Sequence, residues 1–234
     1  RPMTQETGGF AAFNLNPNIL AAVAATGYEE PSAIQQQSIP IIMAGKDMIG
    51  QAQTGTGKTA AFALPILHCI DPAKREPQAL ILAPTRELAL QVATAFETYA
   101  KQMPGVTVVA VYGGAPMGPQ LKAIRNGAQI VVATPGRLCD HLRRDEKVLS
   151  TVNHLVLDEA DEMLKLGFMD DLEVIFKALP ATRQTVLFSA TLPQSIRAIA
   201  ERHLRDPEHV KIQTKTQTVT AIEQAHLLVH ADQK

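Results

Sequence analysis

Residues 47–59 read Asp-Met-Ile-Gly-Gln-Ala-Gln-Thr-Gly-Thr-Gly-Lys-Thr. The stretch begins with a predicted strand, Asp47–Gly50, and leads through a glycine-rich turn into a predicted helix, Lys58–His68. Small residues in such a turn let backbone N–H groups surround a phosphate chain, while Lys58 neutralises phosphate charge and the Thr59 hydroxyl ligates Mg²⁺. This stretch therefore predicts an α/β fold with a phosphate site between a strand and a helix.

The turn fits the P-loop pattern Gly-x-x-x-x-Gly-Lys-Thr except at its first position, where Ala52 stands. Such a match arises by chance in roughly one chain of this length in fifty. The preceding strand and the following helix reduce the chance alternative to roughly one in a hundred. The predicted nucleotide contacts in the loop are Thr54, Gly55, Thr56, Gly57, Lys58 and Thr59.

The alternation of strand and helix continues along the chain. Runs of Val, Ile and Leu predict further strands at Ala79–Leu82, Val106–Val111, Ile130–Ala133, His154–Leu157, Thr185–Phe188 and Val210–Ile212. Helical spacing predicts further helices at Pro17–Thr26, Ser32–Met43, Arg86–Lys101, Gly118–Arg125 and Gln194–His203. Apolar strands without polar alternation are typical of parallel strands buried on both faces. We therefore predict a doubly wound α/β domain with a parallel sheet of about seven strands and helices on both faces.

Polar turns follow most of these strands directly. They begin at Gln53, Pro84, Gly113, Thr134, Asp158 and Ser189. Because the carboxyl ends of parallel strands form the ligand crevice of such a sheet, we expect these turns to meet at one edge.

Two adjacent acids, Asp158 and Glu159, directly follow the predicted strand His154–Leu157. A carboxylate at this place holds Mg²⁺ in P-loop enzymes, and the next acid is a candidate to orient and deprotonate a water molecule. The alternative is a solvated helix start, since acids favour a helix N-terminus.

The composition excludes several classes of protein. The chain has 234 residues, of which 46% are hydrophobic and 19% charged, and its net charge is −1. These values exclude a disordered tail, a coiled coil and a small disulfide scaffold. A near-neutral chain does not bind nucleic acid through bulk charge, so a polyanion would be held by a few placed groups. Without a signal pattern or an apolar run long enough to cross a bilayer, we expect a cytoplasmic protein.

Residues 158–161 spell Asp-Glu-Ala-Asp, and with the P-loop and the turns above they resemble the N-terminal RecA-like domain of a bacterial-type DEAD-box RNA helicase. The similarity spans about residues 10–212. It implies a RecA-like ATP-binding domain over residues 1–212 with a Q motif at 8–36. It also implies an interdomain linker at 213–234, leading to a second RecA-like domain that supplies arginine fingers and is absent from this sequence.

The resemblance implies nucleotide contacts at Phe10, Tyr28 and Gln35, with Gln35 as the residue that recognises adenine and Tyr28 as a residue that could stack on the base. A glutamine carboxamide offers one donor and one acceptor, which match adenine and mismatch guanine. Two alternatives stay open: Gln35 as a polar surface residue, and Tyr28 as a packing residue at a helix end.

The resemblance also implies RNA contacts at Thr85, Arg86, Gly114, Thr134 and Arg137. It implies a role for Asp161, Ser189 and Thr191 in coupling the DEAD segment to domain closure. Alternatively, Arg86 pairs with Glu87 or a nearby helix acid. For Ser189 and Thr191, the alternative is turn capping.

The implied activity is RNA-dependent hydrolysis of ATP with Mg²⁺, coupled to local RNA unwinding by a monomer. Catalysis would rest on Lys58, Asp158 and Glu159, with Thr59 and Asp158 as metal ligands. Two other functions are alternatives. A P-loop DNA helicase or translocase is disfavoured by Gln35 and by Ala160-Asp161. A non-catalytic nucleotide-dependent binding module is disfavoured by the intact Glu159.

Overall fold

The computed structural model describes residues 8–213, and the strands within that range form one sheet. The strands are β1 Met48–Gln51, β2 Ala79–Leu82, β3 Val108–Val111, β4 Ile130–Ala133, β5 His154–Leu157, β6 Gln184–Ser189 and β7 Glu208–Lys211. After a short 3-10 helix at Gly9–Phe13, the helices are α1 Pro17–Ala25, α2 Ala33–Met43, α3 Lys58–Cys69, α4 Arg86–Tyr99, α5 Met117–Arg125, α6 Pro135–Arg144, α7 Ala160–Lys165, α8 Met169–Ala178 and α9 Gln194–His203. The predicted linker lies outside the described residues from residue 214 onward.

All paired strands of the sheet are parallel, in the order β3-β4-β2-β5-β6-β1-β7. The predicted fold class is thereby confirmed. Because the strands share one direction, the turns that follow them lie at a single edge of the sheet. The P-loop strand β1 lies beside β6, and β6 lies beside the strand that ends at Asp158.

Each face of the sheet carries its own hydrophobic core. Within β2, Ala79 and Ile81 belong to one core, while Leu80 and Leu82 belong to the other. The first core also contains buried residues of α1 to α4, and the second contains those of α5 to α9. Side chains that alternate between two buried faces explain why these strands are apolar throughout.

Helices α6, α7 and α8 are absent from our explicit helix predictions. Helix α6 begins at Pro135, inside a stretch that we interpreted as a turn. Proline is favourable in the first turn of a helix, because its fixed φ suits that position and its missing N–H needs no partner there. Across residues 8–213, the structure has no helix long and apolar enough to cross a membrane.

Candidate functional site

The glycine-rich loop joins β1 to α3 and adopts a conformation that requires glycine. Gly55 and Gly57 have φ values of 86° and 84°, in the left-handed region. A Cβ atom on Gly57 would lie 2.6 Å from Gln35 Nε2 and 3.0 Å from Ser32 Oγ. Glycine at this position therefore lets the loop pack against the start of α2.

A cavity of about 510 Å³ opens between this loop, the start of α2 and one side of α4. Its volume is in the range of small-molecule sites in proteins. The cavity brings together most of the predicted nucleotide residues: Tyr28, Gln35, Thr54, Gly55, Thr56, Gly57, Lys58 and Thr59. Glu159 lies at the same cavity.

Gln35 is buried, with 5% of its surface exposed, which contradicts the alternative of a surface residue. Its Oε1 accepts a hydrogen bond of 2.9 Å from Ser32 N, and its Nε2 donates one of 3.1 Å to Gly57 O. A carboxamide has two donor hydrogens and two acceptor lone pairs. One of each therefore remains for a ligand, while the protein fixes the orientation of the group.

Tyr28 is 51% exposed at the cavity, so it is not a packing residue at a helix end. Phe10, in contrast, is not brought to this cavity. Its ring is buried in the first core and packs edge-on against the Phe13 ring, with the two ring centres 6.2 Å apart. The 3-10 helix Gly9–Phe13 directs Phe10 into the core, a local geometry that the sequence pattern did not predict.

The cavity lining includes six residues that were not predicted as site residues. They are Glu30, Ser32, Ala60, Leu88, Gln91 and Tyr99. Tyr99 is buried, and this burial, together with the nearby Tyr28, raises its pKa to about 12. The helical pattern of α4 indicated a core-facing side but not a ligand-facing one, so no signal in the sequence pointed to Leu88, Gln91 or Tyr99.

Lys58, which lines the cavity, lies between two carboxylates. Its Nζ is 3.0 Å from Asp158 Oδ1 and 3.5 Å from Glu159 Oε1. Thr54 Oγ1 donates a further bond of 3.2 Å to Glu159 Oε1. Asp158 is fully buried, which contradicts the alternative of a solvated helix start.

Burial raises the pKa of Asp158, although the nearby Lys58 partly opposes this shift. Within the described part of the chain, Asp158 Oδ1 forms an ion pair with Lys58, and neither carboxylate oxygen has a further hydrogen-bond partner. Unpaired oxygen lone pairs on a buried carboxylate are costly, and a metal ion would pair them. This observation fits a metal ligand at Asp158.

The residues present fit Mg²⁺ better than a metal held by protein alone. In residues 8–213 no three His, Cys, Asp or Glu side chains form a metal cluster. Mg²⁺ is usually bound through one or two protein oxygens, with phosphate oxygens and waters completing the octahedron. Asp158 and the Thr59 hydroxyl at the cavity are oxygen donors of this kind.

Glu159 has a left-handed backbone conformation, with φ 54° and ψ 53°. Few residues other than glycine adopt this conformation, and it costs free energy that the surrounding structure must supply. In this conformation the Glu159 side chain reaches Thr54 and Lys58, and 23% of it is exposed. Water therefore has access to this carboxylate.

Asp161 connects the start of α7 to the end of β6. Its Oδ2 accepts bonds from Thr191 Oγ1 at 2.9 Å and Thr191 N at 3.2 Å, while its own N–H donates to Ser189 Oγ at 3.2 Å. Burial acts to raise the pKa of Asp161, but the hydrogen bonds from Thr191 and Ser189 outweigh burial and lower it. The two hydroxyl residues thus join two segments rather than only capping their own turn.

A second group of predicted residues surrounds the turn at Tyr112–Ala115. The Arg86 guanidinium lies 4.8 Å from the centre of the Tyr112 ring. A Cβ on Gly114, whose φ is 82°, would lie 3.7 Å from Arg86 Nη1. Arg137 Nη1 donates a bond of 2.7 Å to Ala115 O. One turn thus contacts both arginines.

The remaining predicted RNA residues begin helices. The Thr85 side chain accepts a bond of 3.2 Å from Leu88 N at the start of α4, and Thr134 precedes α6. Among the described residues, no acid lies within ion-pair distance of Arg86, so its pairing with Glu87 is not observed.

Strand order separates the two groups along the edge of the sheet. The arginines and the Tyr112–Ala115 turn follow β2, β3 and β4, which are neighbours. The P-loop, the acids and the Ser189 turn follow β1, β5 and β6, which are also neighbours. The edge therefore has a cationic half and a half that contains the cavity.

Comparison with known proteins places this arrangement in a family. The model of the DEAD/DEAH box helicases matches residues 32–199. The chain belongs to the DEAD/DEAH box helicase family. It is 50% identical over 228 residues to an "ATP-dependent RNA helicase DeaD" of Buchnera aphidicola and 52% identical over 220 residues to that of Escherichia coli K12.

These alignments cover 97% and 94% of the chain but only 38% and 35% of the relatives. The chain thus spans little more than a third of the length of these DEAD/DEAH box helicases. A crystal structure of a DEAD box protein from Methanococcus jannaschii matches with a TM-score of 0.84 and 40% identity, over 88% of this chain and 56% of that one. The fold and the family therefore agree.

Proposed function

We propose that this chain is the ATP- and RNA-binding N-terminal core domain of a DEAD-box RNA helicase. The observation that carries the proposal is the cluster of Lys58, Asp158 and Glu159, in which Lys58 and Glu159 line a cavity that also contains the oriented Gln35 carboxamide. The longer protein would hydrolyse ATP in an RNA-dependent manner and separate short RNA duplexes.

Each group of the cluster has a distinct chemical role in this proposal. Lys58 neutralises charge on the phosphate chain, and Thr59 and Asp158 hold Mg²⁺. Glu159 orients the attacking water and accepts its proton as the oxygen bonds to the γ-phosphorus and ADP leaves. When bound, Mg²⁺ neutralises negative charge on the phosphate oxygens.

RNA would bind to the cationic half of the edge through its backbone. Arg86 and Arg137 suit phosphate groups, the threonines suit phosphate or 2′-hydroxyl groups, and Gly114 allows close approach. A net charge of −1 over the whole chain supports a local contact of this kind over a broad basic surface. The second RecA-like domain of the longer protein is the proposed partner at this edge, in a monomer.

Two binding measurements on this chain test the proposal. Calorimetric titration with ADP should show binding that depends on Mg²⁺. Fluorescence anisotropy with a labelled single-stranded RNA should show binding at low salt that Arg86→Ala weakens, while ADP affinity stays constant. Arg125→Ala serves as the control, because Arg125 is an exposed arginine at the end of α5. No measurable ADP binding, or equal effects of the two arginine substitutions on RNA binding, would contradict the proposal.

A further inference from the structure

Gln120 of α5 is a buried glutamine beside the proposed RNA contacts, with 7% of its surface exposed. Its Nε2 donates a bond of 3.0 Å to Tyr112 O. Its Oε1 lies 3.2 Å from Arg137 Nη1 and 3.2 Å from His141 Nε2. One side chain therefore joins the Tyr112–Ala115 turn to two residues of α6.

The donors and acceptors of this network can be assigned. The Gln120 oxygen can only accept, and the Arg137 guanidinium can only donate. His141 Nε2 must therefore carry a proton and donate to the same oxygen. His141 Nδ1 then holds a lone pair, and in the described part of the chain this buried atom has no hydrogen-bond partner. Burial and the nearby Arg137 both lower the pKa of His141, in agreement with a neutral ring.

The network fixes the orientation of the Arg137 guanidinium. Both hydrogens of Nη1 are used, one by Ala115 O at 2.7 Å and one by Gln120 Oε1 at 3.2 Å. Nε lies 3.8 Å from Asp140 Oδ2, and Nη2 makes no hydrogen bond to residues 8–213, so Nη2 is the group that we assign to the ligand. Because a guanidinium is planar, two bonds at one end set the direction of the other.

We propose that Gln120 and His141 are positioning residues for RNA binding, which hold Arg137 and the Tyr112–Ala115 turn in the geometry that receives a backbone phosphate. The inference rests on the proposed RNA contact of Arg137 and assigns to two further residues a role in it. Burying a polar side chain costs desolvation energy, and an apolar side chain of the same size would fill the space of Gln120 without that cost. Packing alone therefore does not explain why a hydrogen-bonded glutamine occupies this position.

Three substitutions test the inference in the 234-residue chain with labelled single-stranded RNA. Gln120→Met keeps the volume and removes the hydrogen bonds, and it should lower RNA affinity about five- to tenfold. The slope of log affinity against log salt should become shallower by about one, as for a lost phosphate contact. His141→Leu should weaken binding about threefold, whereas His141→Gln, whose amide nitrogen donates near the position of Nε2, should restore it.

The matched control is Gln129→Met. Gln129 is fully buried, and its side chain also bonds to loop backbone, at Gly105 and Thr107, on the opposite edge of the sheet. Gln129→Met should leave RNA affinity and its salt dependence unchanged. ADP affinity should be unchanged in all of these variants. If Gln120→Met and Gln129→Met lower RNA affinity equally, the loss reflects a general loss of stability, and the inference is overturned.

Arg137→Ala separates the inference from the function on which it rests. If Arg137→Ala weakens RNA binding and Gln120→Met does not, the positioning role is wrong and the RNA contact stands. If Arg137→Ala does not change RNA affinity, both the positioning role and the RNA contact of Arg137 are wrong. ¹⁵N NMR of the His141 ring gives an independent measurement, since the assignment requires a proton on Nε2 and none on Nδ1; the opposite tautomer would also overturn the inference.

Discussion

At the phosphate site, one lysine faces two carboxylates, so the three side chains together carry a charge of −1. Lys58 Nζ lies within 3.5 Å of both acids. A site with this net charge repels a polyphosphate unless a cation accompanies it. The dependence on Mg²⁺ that we propose therefore follows from the charges of the three residues as well as from their positions.

The two roles within this cluster are separable by substitution. Lys58→Ala should remove most nucleotide affinity, because the ammonium interacts with phosphate charge before and during the reaction. Glu159→Gln should keep ADP binding and remove ATP turnover in the full-length protein, because the amide does not accept the proton of the water. Calorimetry and a steady-state ATPase assay measure the two effects. If Glu159→Gln hydrolyses ATP at the wild-type rate, another residue must be the base.

Gln35 should select adenine over guanine. Its carboxamide is held by Ser32 N and Gly57 O, and its free donor and acceptor suit the adenine edge. We expect ADP to bind more tightly than GDP by about 1–3 kcal/mol. Gln35→Ala should bring the ratio of ADP affinity to GDP affinity close to one. The substitution also removes the Gln35 contact with the loop, so both affinities are expected to fall. Equal ADP and GDP affinities in the wild type, measured by calorimetry, would argue against this role.

At the scale of the elements, strand β5 buries His154 in a site that favours its neutral form, so protonation of this ring destabilises the fold. His154 Nδ1 lies 2.9 Å from Gln184 Oε1, and the Gln184 amide nitrogen donates to Ile42 O and Lys46 O. Nδ1 therefore carries the proton, and the ring is neutral. Burial lowers the pKa of His154, and the hydrogen bond that the ring donates to Gln184 only partly offsets this shift.

This arrangement predicts how stability depends on pH. Because the pKa of His154 is lower in the folded state, the unfolded state binds more protons once the pH falls below about 6.5. The free energy of unfolding should therefore decrease as the pH falls from 6.5 toward the folded-state pKa, by at most about 1.4 kcal/mol per pH unit for this group.

His154→Asn keeps a donor near Nδ1 and does not titrate, so it should flatten this dependence in urea unfolding between pH 8 and pH 5.5. His209→Asn, at an exposed histidine of β7, is the control and should leave the dependence as it is in the wild type. An unchanged dependence in His154→Asn would assign the effect to other groups.

Much of the fold was predictable at the level of elements because buried strands have a simple signature. The bounds predicted for β2, β4 and β5 agree with the structure. The predicted β7 began at Val210, whereas the strand begins at Glu208, since this edge strand is mostly exposed and lacks an apolar run. Asp47, predicted as the start of β1, instead accepts backbone bonds from Thr185 and Arg205 at the opposite edge of the sheet.

The candidate site was predictable to the extent that its chemistry is encoded by residue type and chain order. The P-loop and the acid pair have this property, and the P-loop and Glu159 line the cavity. Gln120 and His141 do not, because a buried polar pair resembles any other polar residue on a helix until its tertiary contacts are known. The order of strands in the sheet, which separates the two halves of the edge, depends on crossovers that local patterns do not encode.

On the scale of the whole molecule, the cavity has a single cationic residue. Among the described residues that form its lining, Lys58 is the only lysine or arginine. The two proposed RNA-binding arginines lie on the other half of the edge, after β2 and β4. Charge that develops on a transferring phosphoryl group would therefore meet one ammonium from these residues, together with Mg²⁺.

This distribution of charge predicts that the 234-residue chain, assayed by itself, binds ADP or ATP weakly and shows no hydrolysis that RNA stimulates. In related phosphoryl-transfer enzymes an arginine finger contributes about 10³ to 10⁵ in rate, and the described residues place none at this cavity. Water at the open side of the cavity would also weaken each charge interaction with the γ-phosphate. A steady-state ATPase assay with saturating single-stranded RNA measures the effect, with a version of the protein that includes a second RecA-like domain as the reference. RNA stimulation of the 234-residue chain close to that of the reference would mean that this chain alone completes the catalytic site, and the proposed need for a second domain would then be wrong.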